Sequence, residues 1–150
     1  FFFSSTSSCR SLIANWNATV RPEDYIYHLG DFSFRDKKTT HSIINRLNGH
    51  KIIIRGNHDK QFSDTWFLNS GFEKVFYKSR LQLGPVCFEM IHNPDHFTEY
   101  YPGFIYLCGH VHDKWKNIGL KYNVGVDANN YFPVSAESVY EQLKEVVEGI

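Results

Sequence analysis

The chain has 150 residues, and its 16 Lys and Arg are balanced by 16 Asp and Glu, so the formal net charge is zero with histidine neutral. Hydrophobic residues make up 42% and aromatic residues 17%, which suits one buried core and excludes a disordered tail or a coiled coil. No apolar run approaches the roughly 20 residues of a transmembrane helix, so a soluble protein with no membrane partner is expected. The charge balance removes the simplest argument for a nucleic-acid or membrane-surface binder, although a local basic patch stays open.

No internal repeat, low-complexity tract or Pro/Gly/Ser linker divides the sequence, so a single domain is expected over residues 1–150. Cys9, Cys87 and Cys108 are odd in number, far apart and never in a Cys-x-x-Cys pair. This usage fits neither a disulfide framework nor a structural zinc site. The cysteines therefore predict a reducing compartment, which we interpret as the cytoplasm.

Apolar, β-branched and aromatic runs bounded by turn residues predict strands along the whole chain. They lie at about 24–29, 51–55, 86–91, 104–108 and 121–126, with a further candidate at 1–4. Between them, helical spacing of apolar residues predicts helices around 12–16, 43–47 and 66–68, and a last helix that includes Val139 and Leu143. Either Ser135 or Ser138 is expected to cap this last helix, the latter in a capping box with Glu141.

The strand pattern predicts an α/β layered fold. Residues 52–54 are three consecutive isoleucines, which is typical of a strand covered on both faces. Alternation of such strands with helices favours layers of sheet and helix. The strands at 86–90 and 121–126 have little helix between them, so a second, more antiparallel sheet is expected there.

Polar side chains follow four of the predicted strands. They are Asp31 after 24–29, Asn57 and His58 after 51–55, His92 after 86–91, and His110 and His112 after 104–108. Because the carboxyl ends of neighbouring strands in an open α/β sheet meet at one crevice, these side chains are expected to form one site. Nitrogen and oxygen donors without thiolate suit Mn²⁺, Fe or Zn²⁺ better than Ca²⁺ or an iron–sulfur cluster.

Each of these residues also has a structural interpretation. Gly30-Asp31 and residues 56–59 are good turn sequences, and His92 fits a strand-terminal histidine bonded to backbone. His110 and His112 are harder to explain in this way, because side chains two apart in a strand share a face. Four such blocks at strand ends together favour the functional interpretation.

Taken in order, the blocks resemble the calcineurin-like metallophosphoesterases, specifically their small single-domain bacterial and phage members. The resemblance rests on Gly-Asp at 30–31, Gly-Asn-His-Asp at 56–59, His92, Gly-His-Val-His at 109–112 and Asn-Val-Gly-Val-Asp at 123–127. It implies a layered α/β/β/α sandwich of two mixed sheets flanked by helices. It also implies a metal-dependent phosphoesterase that hydrolyses phosphate mono- or diesters with a metal-activated water. A small phosphorylated substrate or a nucleotide is the implied partner, with nucleic acid also open.

The resemblance also implies a role for each residue. Asp31 matches the carboxylate that bridges two metal ions and takes part in catalysis. Asn57, His92 and His110 would complete the shell of one ion, and His112 would bind the other. His58 matches the histidine that contacts the substrate phosphate and assists the leaving group. Manganese is the expected ion, with iron or zinc as alternatives.

One family motif is missing at the start of the chain. An Asp-x-His normally ends the first strand, and here Ser5 and Ser7 stand in its place. Serine brings neither the charge of a carboxylate nor the basic nitrogen of an imidazole, so one well-bound ion and one weak or empty site are expected. Three explanations stay open: a working mononuclear enzyme, a catalytically impaired binding module with an incomplete metal site, or a chain truncated or altered at its N-terminus.

The remaining histidines and one aromatic group fall outside this pattern. His28 is expected within the sheet, whereas His41, His50 and His96 are expected at the surface. An aromatic group lies between two of the ligand blocks: Phe97, Tyr100, Tyr101 and Phe104. It could either wall a pocket that stacks a nucleobase or simply pack the loop.

Overall fold

The computed structural model describes residues 1–5 and 10–149. Up to residue 76 the elements are β1 (Phe2–Phe3), α1 (Arg10–Thr19), β2 (Tyr25–His28), α2 (Lys37–Arg46), β3 (His50–Ile54), α3 (Asp64–Ser70) and β4 (Phe72–Phe76). Beyond it they are β5 (Lys78–Leu83), β6 (Val86–Ile91), β7 (Phe104–Cys108), β8 (Asn117–Ile118), β9 (Lys121–Asn123) and α4 (Ala136–Val147). Single turns of 3₁₀ helix occupy 59–61, 94–96 and 126–128.

The first sheet is parallel throughout, in the order β1-β2-β3-β4. A buried cluster joins Ile26 and Ile53 of this sheet to Trp16 of α1, Ile44 of α2 and Phe67 of α3. The three helices therefore cover one face of the sheet. Ile52–Ile54 are buried, as their continuous apolar pattern predicts.

The second sheet is mixed, in the order β5-β6-β7-β9-β8. The expectation of a more antiparallel sheet from the 86–90 and 121–126 strands is wrong for these two, because β6 and β9 both pair parallel to β7. The antiparallel pairs involve β5 and β8, which the sequence analysis did not predict. The strand expected to reach residue 126 ends at Asn123, because the chain turns there into the 3₁₀ turn at 126–128.

The two sheets pack face to face. Leu29 and Ile54 from the end of the first sheet meet Met90 and Leu107 of the second in one buried cluster. Helix α4 adds Val139 and Leu143 to the same cluster. The layered fold of two sheets flanked by helices is therefore confirmed. None of the helices in the described part of the chain combines the length and apolar character needed to cross a membrane.

Ser135, rather than Ser138, caps α4. Its side-chain oxygen accepts the backbone N–H of Ser138 at 3.1 Å, so the prediction of a capping box between Ser138 and Glu141 is wrong. The predicted helices around 12–16, 43–47 and 66–68 lie within α1, at the end of α2 and within α3. The candidate strand at the chain start is confirmed as β1, which pairs with β2.

Candidate metal centre

Three of the predicted ligands meet where strands of both sheets end. Asp31 follows β2, His92 follows β6 and His110 follows β7. The Oδ2 of Asp31 lies 3.1 Å from Nε2 of His92, which lies 3.2 Å from Nδ1 of His110. One ligand atom from each residue falls within 4.8 Å of the others, which suits a shared metal ion. We call these three residues the Asp31 cluster.

The His92 ring is buried and its orientation is fixed. Its Nδ1–H donates to the backbone carbonyl of Leu29 at 2.7 Å, which leaves Nε2 facing Asp31 and His110. A hydrogen bond of this kind on the far nitrogen is how proteins orient a ligating histidine. Burial would lower the pKa of His92, but the Asp31 carboxylate and the Leu29 carbonyl outweigh it, so the pKa is raised. A proton therefore competes more strongly with a metal ion for this ring than for an ordinary histidine.

The Asp31 carboxylate is held on both oxygens. Oδ1 accepts the backbone N–H of His58 at 2.8 Å, and Oδ2 faces His92. Burial would raise the pKa of Asp31, but the hydrogen bonds from His92 and His58 outweigh it, so the pKa is lowered. In His110, burial and then the neighbouring His92 charge lower the pKa. The carboxylate is thus ionised, as a metal ligand requires.

Asp59 supports the site, and the sequence analysis missed it. Its buried carboxylate accepts three backbone N–H groups, from Asp31 and Phe32 at 2.9 Å each and from Gly56 at 2.7 Å. It therefore joins the loop after β2 to the loop after β3. The signal that could have found it is its place in the Gly-Asn-His-Asp turn, where aspartate commonly bonds nearby backbone.

Glycines allow these ligands to come close. A Cβ on Gly30, whose φ is +95°, would lie 2.5 Å from Nδ1 of His92. A Cβ on Gly56 would lie 2.3 Å from Oδ1 of Asp31. Because real Cβ atoms do not approach other atoms so closely, only glycine fits at either position.

Three of the predicted ligands have left-handed backbone: φ is +56° at Asp31, +69° at His110 and +52° at His112. The assumption that His110 and His112 share the face of a strand is therefore wrong, because β7 ends at Cys108 and both histidines lie in a tight turn. Non-glycine residues in this conformation are uncommon and cluster at functional sites, where the surrounding structure holds them.

His112 lies outside the Asp31 cluster and faces a carboxylate that was not predicted. Its Nδ1 is 3.6 Å from Oδ2 of Asp127, and both side chains are exposed. Its backbone carbonyl accepts a hydrogen bond from the buried Asn123 side chain at 2.7 Å. Asp127 falls in the sequence block at 123–127, but no feature of the sequence marked it as a ligand.

The Asp31 cluster and the His112–Asp127 pair line one cleft of about 460 Å³. Its walls include the Asp31 cluster together with Ser4, Ser5, His112, Asp127 and Tyr131. Ser5 thus lies on the wall of the site, as the resemblance implies, whereas Ser7 falls outside the described residues. Asn57 and His58 are exposed, and the structure records no side-chain hydrogen bond from either to the Asp31 cluster among the described residues. The ring of His58 lies edge-on to Phe34, with 5.1 Å between ring centres.

His28 lies within the sheet, as predicted, and it supports the site from there. Its Nδ1 accepts the backbone N–H of Gly30 at 3.2 Å, which leaves the proton on Nε2 to donate to the carbonyl of Ser5 at 3.0 Å. Complete burial lowers its pKa to about 4, so the ring is neutral near pH 7. It thereby fixes the chain after β1 against the chain after β2.

The other histidines lie away from the cleft. His41 and His96 are exposed, as predicted. His50 begins β3, stacks on Tyr25 and contacts Glu73 through a hydrogen bond of 2.6 Å, so it is partnered rather than simply solvated.

The aromatic group packs a loop. Phe97, Tyr100 and Phe104 each contact the ring of Tyr106, and Tyr101 contacts Phe104. None of the four predicted residues is among those that line the cleft. Of the two interpretations of this group, loop packing is the one the structure supports.

Comparisons with known proteins bear mainly on the fold. No protein-family model matches the chain. The chain is 34% identical to the uncharacterized protein MJ1445 of Methanocaldococcus jannaschii, across 91% of this chain and 75% of that protein. A solved structure of the protein of unknown function AQ665 from Aquifex aeolicus is similar with a TM-score of 0.70 and 24% identity, across 94% of this chain and 97% of that one. YfcE, a phosphoesterase from E. coli, is similar with a TM-score of 0.57 and 13% identity, across 83% of this chain and 76% of that one. The two structural likenesses show a shared fold.

Proposed function

The chain belongs to the same family as the uncharacterized protein MJ1445 of Methanocaldococcus jannaschii, and we propose that it is a metal-dependent phosphoesterase. The observation that carries the proposal is the Asp31 cluster, which gathers one carboxylate and two imidazoles at strand ends of both sheets. The fold shared with the phosphoesterase YfcE supports the same activity. The reaction we propose is hydrolysis of phosphate mono- or diesters by water.

The residues of the cluster fit a divalent ion. Two nitrogens and one carboxylate oxygen, with one imidazole already oriented by the Leu29 carbonyl, suit Mn²⁺, and Fe or Zn²⁺ as alternatives. We propose that Asp31, Asn57, His92 and His110 hold this ion. When bound, such an ion acts as a Lewis acid and lowers the pKa of water.

We propose that His58 assists the leaving group. Its backbone N–H donates to Asp31 while its ring is exposed beside Phe34. In this proposal the ring donates a proton to the leaving ester oxygen of a phosphate held at the cluster. A cleft of about 460 Å³ suits a small phosphorylated molecule or a nucleotide, and a nucleic-acid end is the second substrate we propose.

An impaired binding module is the alternative function. The observation that favours it is Ser5, a neutral side chain on the cleft wall where the family motif has a carboxylate. In that case the cleft would bind a phosphorylated ligand without hydrolysing it.

The compartment we propose is the cytoplasm. Cys87 and Cys108 are buried free thiols, which supports a reducing environment.

The test is hydrolysis of bis(p-nitrophenyl) phosphate and p-nitrophenyl phosphate by protein loaded with Mn²⁺, with metal content measured on the same samples. We expect turnover that chelator removes and that Asp31→Asn abolishes, whereas the exposed control Asp95→Asn keeps it. A protein that holds Mn²⁺ but shows only the background rate across several ions and esters would favour the binding module.

A further inference from the structure

The cleft also holds a pair of ligand-type side chains outside the Asp31 cluster, His112 and Asp127. We propose that His112 and Asp127 form a second position for a divalent cation of the Mn²⁺ or Zn²⁺ class, in which Asp127 supplies the carboxylate that Ser5 does not. The inference rests on the proposed metal dependence of the cleft and adds a residue to it.

The geometry of the pair suits two ligands of one ion. The distance of 3.6 Å between Nδ1 of His112 and Oδ2 of Asp127 exceeds that of a hydrogen bond, which ends at about 3.2 Å for these atoms. Two donors bound at about 2.1 Å in tetrahedral geometry lie about 3.4 Å apart. The side chains therefore stand at the separation that a shared ion needs, without a direct bond that would occupy them.

A single buried side chain holds both ligand-bearing loops. The Nδ2 of Asn123 donates to the carbonyl of His112 at 2.7 Å, and its Oδ1 accepts the backbone N–H of Gly125 at 2.9 Å. Asn129, also buried, donates to the carbonyls of Asn123 and Gly125 at 2.8 Å each. These contacts preorganise the backbone that carries His112 and the chain that leads into Asp127.

The backbone also places Asp127 beside the missing motif. Ser4 and Gly125 form a parallel bridge, and the N–H of Val126 donates to the carbonyl of Ser4 at 3.1 Å. Asp127 and Ser5 both line the cleft. The chain that leads into Asp127 therefore runs beside the chain that leads into Ser5.

The experiment titrates Mn²⁺ into metal-free protein by calorimetry and counts the ions retained after desalting. We expect two binding events in the unaltered chain. Asp127→Asn should weaken one of them at least tenfold and leave the other unchanged. Asp113 is exposed, is next to His112 in the sequence and is not among the residues that line the cleft. Asp113→Asn should therefore keep both binding events.

Asparagine keeps an oxygen that can orient His112, so loss of binding in Asp127→Asn identifies a ligand rather than a positioning residue. Equal stoichiometry and affinity in the unaltered protein and in Asp127→Asn would overturn the inference. If His110→Ala still removes one event in that case, the proposed function survives. If neither the unaltered chain nor any of the variants binds an ion, the proposed metal dependence fails as well.

Discussion

His58 is the residue whose proposed role differs most from that of its neighbours, because only its backbone contacts the Asp31 cluster. His58→Ala should lower turnover by about 10²–10⁴-fold, the usual contribution of a positioned acid, while metal content stays unchanged. His110→Ala, in contrast, should lose the ion itself. Elemental analysis and rates on the same preparations check both. Loss of metal in both variants would show that His58 is a ligand.

The lowered pKa of His28 predicts that the folded protein loses stability in acid. Its pKa is about 4 when folded, against about 6.5 when unfolded, so the unfolded chain takes up the proton first. The contribution of His28 is fully present above pH 6.5 and is lost as the pH falls to about 4, by up to about 3 kcal/mol. Urea unfolding in chelator at pH 7, 5.5 and 4.5 should show a smaller fall for His28→Gln than for the unaltered protein. The exposed control His41→Gln should keep the unaltered slope, and equal slopes in all three would contradict the prediction.

The hydrogen bonds that Asp59 accepts predict a link between the stability of the fold and metal binding. The two carboxylate oxygens of Asp59 accept three backbone N–H groups, and Asp59→Asn replaces one of these oxygens by an NH₂ group, which cannot accept. The free energy of unfolding should therefore fall by about 1.5–3 kcal/mol. Mn²⁺ affinity should fall with it, because the loop that carries Asp31 loses its anchor. Urea unfolding and Mn²⁺ titration measure the two effects, with Asp95→Asn as an exposed control. Unchanged stability would mean that these hydrogen bonds are dispensable.

The residues that the sequence could predict are those next to strong strand patterns. His92 and His110 come just after the neighbouring parallel strands β6 and β7, so their meeting follows from strands that end at one edge of a sheet. Asp31 comes just after a strand of the other sheet, so its place beside them depends on how the two sheets pack. Asp127 lies within the 3₁₀ turn at 126–128, and its approach to His112 depends on the Asn123 contacts, which no local sequence pattern indicates. The left-handed turn at His110 was likewise hidden, because that conformation depends on the fold around it.

At the scale of elements, the cap of α4 gives a sharp test. Ser135→Ala removes the oxygen that accepts the N–H of Ser138, so the free energy of unfolding should fall by about 1 kcal/mol. Ser138→Ala removes only an exposed side-chain contact with Gln142 and should change it by less than about 0.5 kcal/mol. Urea unfolding of the two variants checks the assignment. A larger effect at Ser138 would restore the capping box as the cap.

The elements that the sequence could predict are those with apolar runs or clear helical spacing. Strand β5 was missed because it lies at the edge of its sheet, where Lys78 and Arg80 pair with the buried Glu89 instead of with apolar neighbours. Its antiparallel partner β6 is buried and was predicted. The direction of pairing in the second sheet could not be predicted, because it depends on which strands become neighbours rather than on any one strand.

At the scale of the whole molecule, the Asp31 cluster joins the two sheets. Asp31 follows a strand of the first sheet, whereas His92 and His110 follow strands of the second, so an ion bound by all three would tie the layers together. An ion that binds only the folded state stabilises it by about 2.7 kcal/mol at a free concentration of 100 times its Kd. The same ion cannot find this arrangement in the unfolded chain, where the ligands are 61 and 79 residues from Asp31 along the sequence.

We therefore expect the urea midpoint at pH 7.5 to be higher in Mn²⁺ than in chelator. His110→Ala should remove the part of this increment that the Asp31 cluster supplies, because the cluster keeps only one imidazole, whereas His58→Ala should preserve the whole increment. His41→Ala, on the exposed surface of α2, serves as the matched control and should respond to Mn²⁺ like the unaltered chain. Equal midpoints with and without Mn²⁺ would show that the cluster holds no ion in the folded protein. An increment that remains in His110→Ala would come from another ion position, and Mn²⁺ titration of Asp127→Asn tests whether His112 and Asp127 form it.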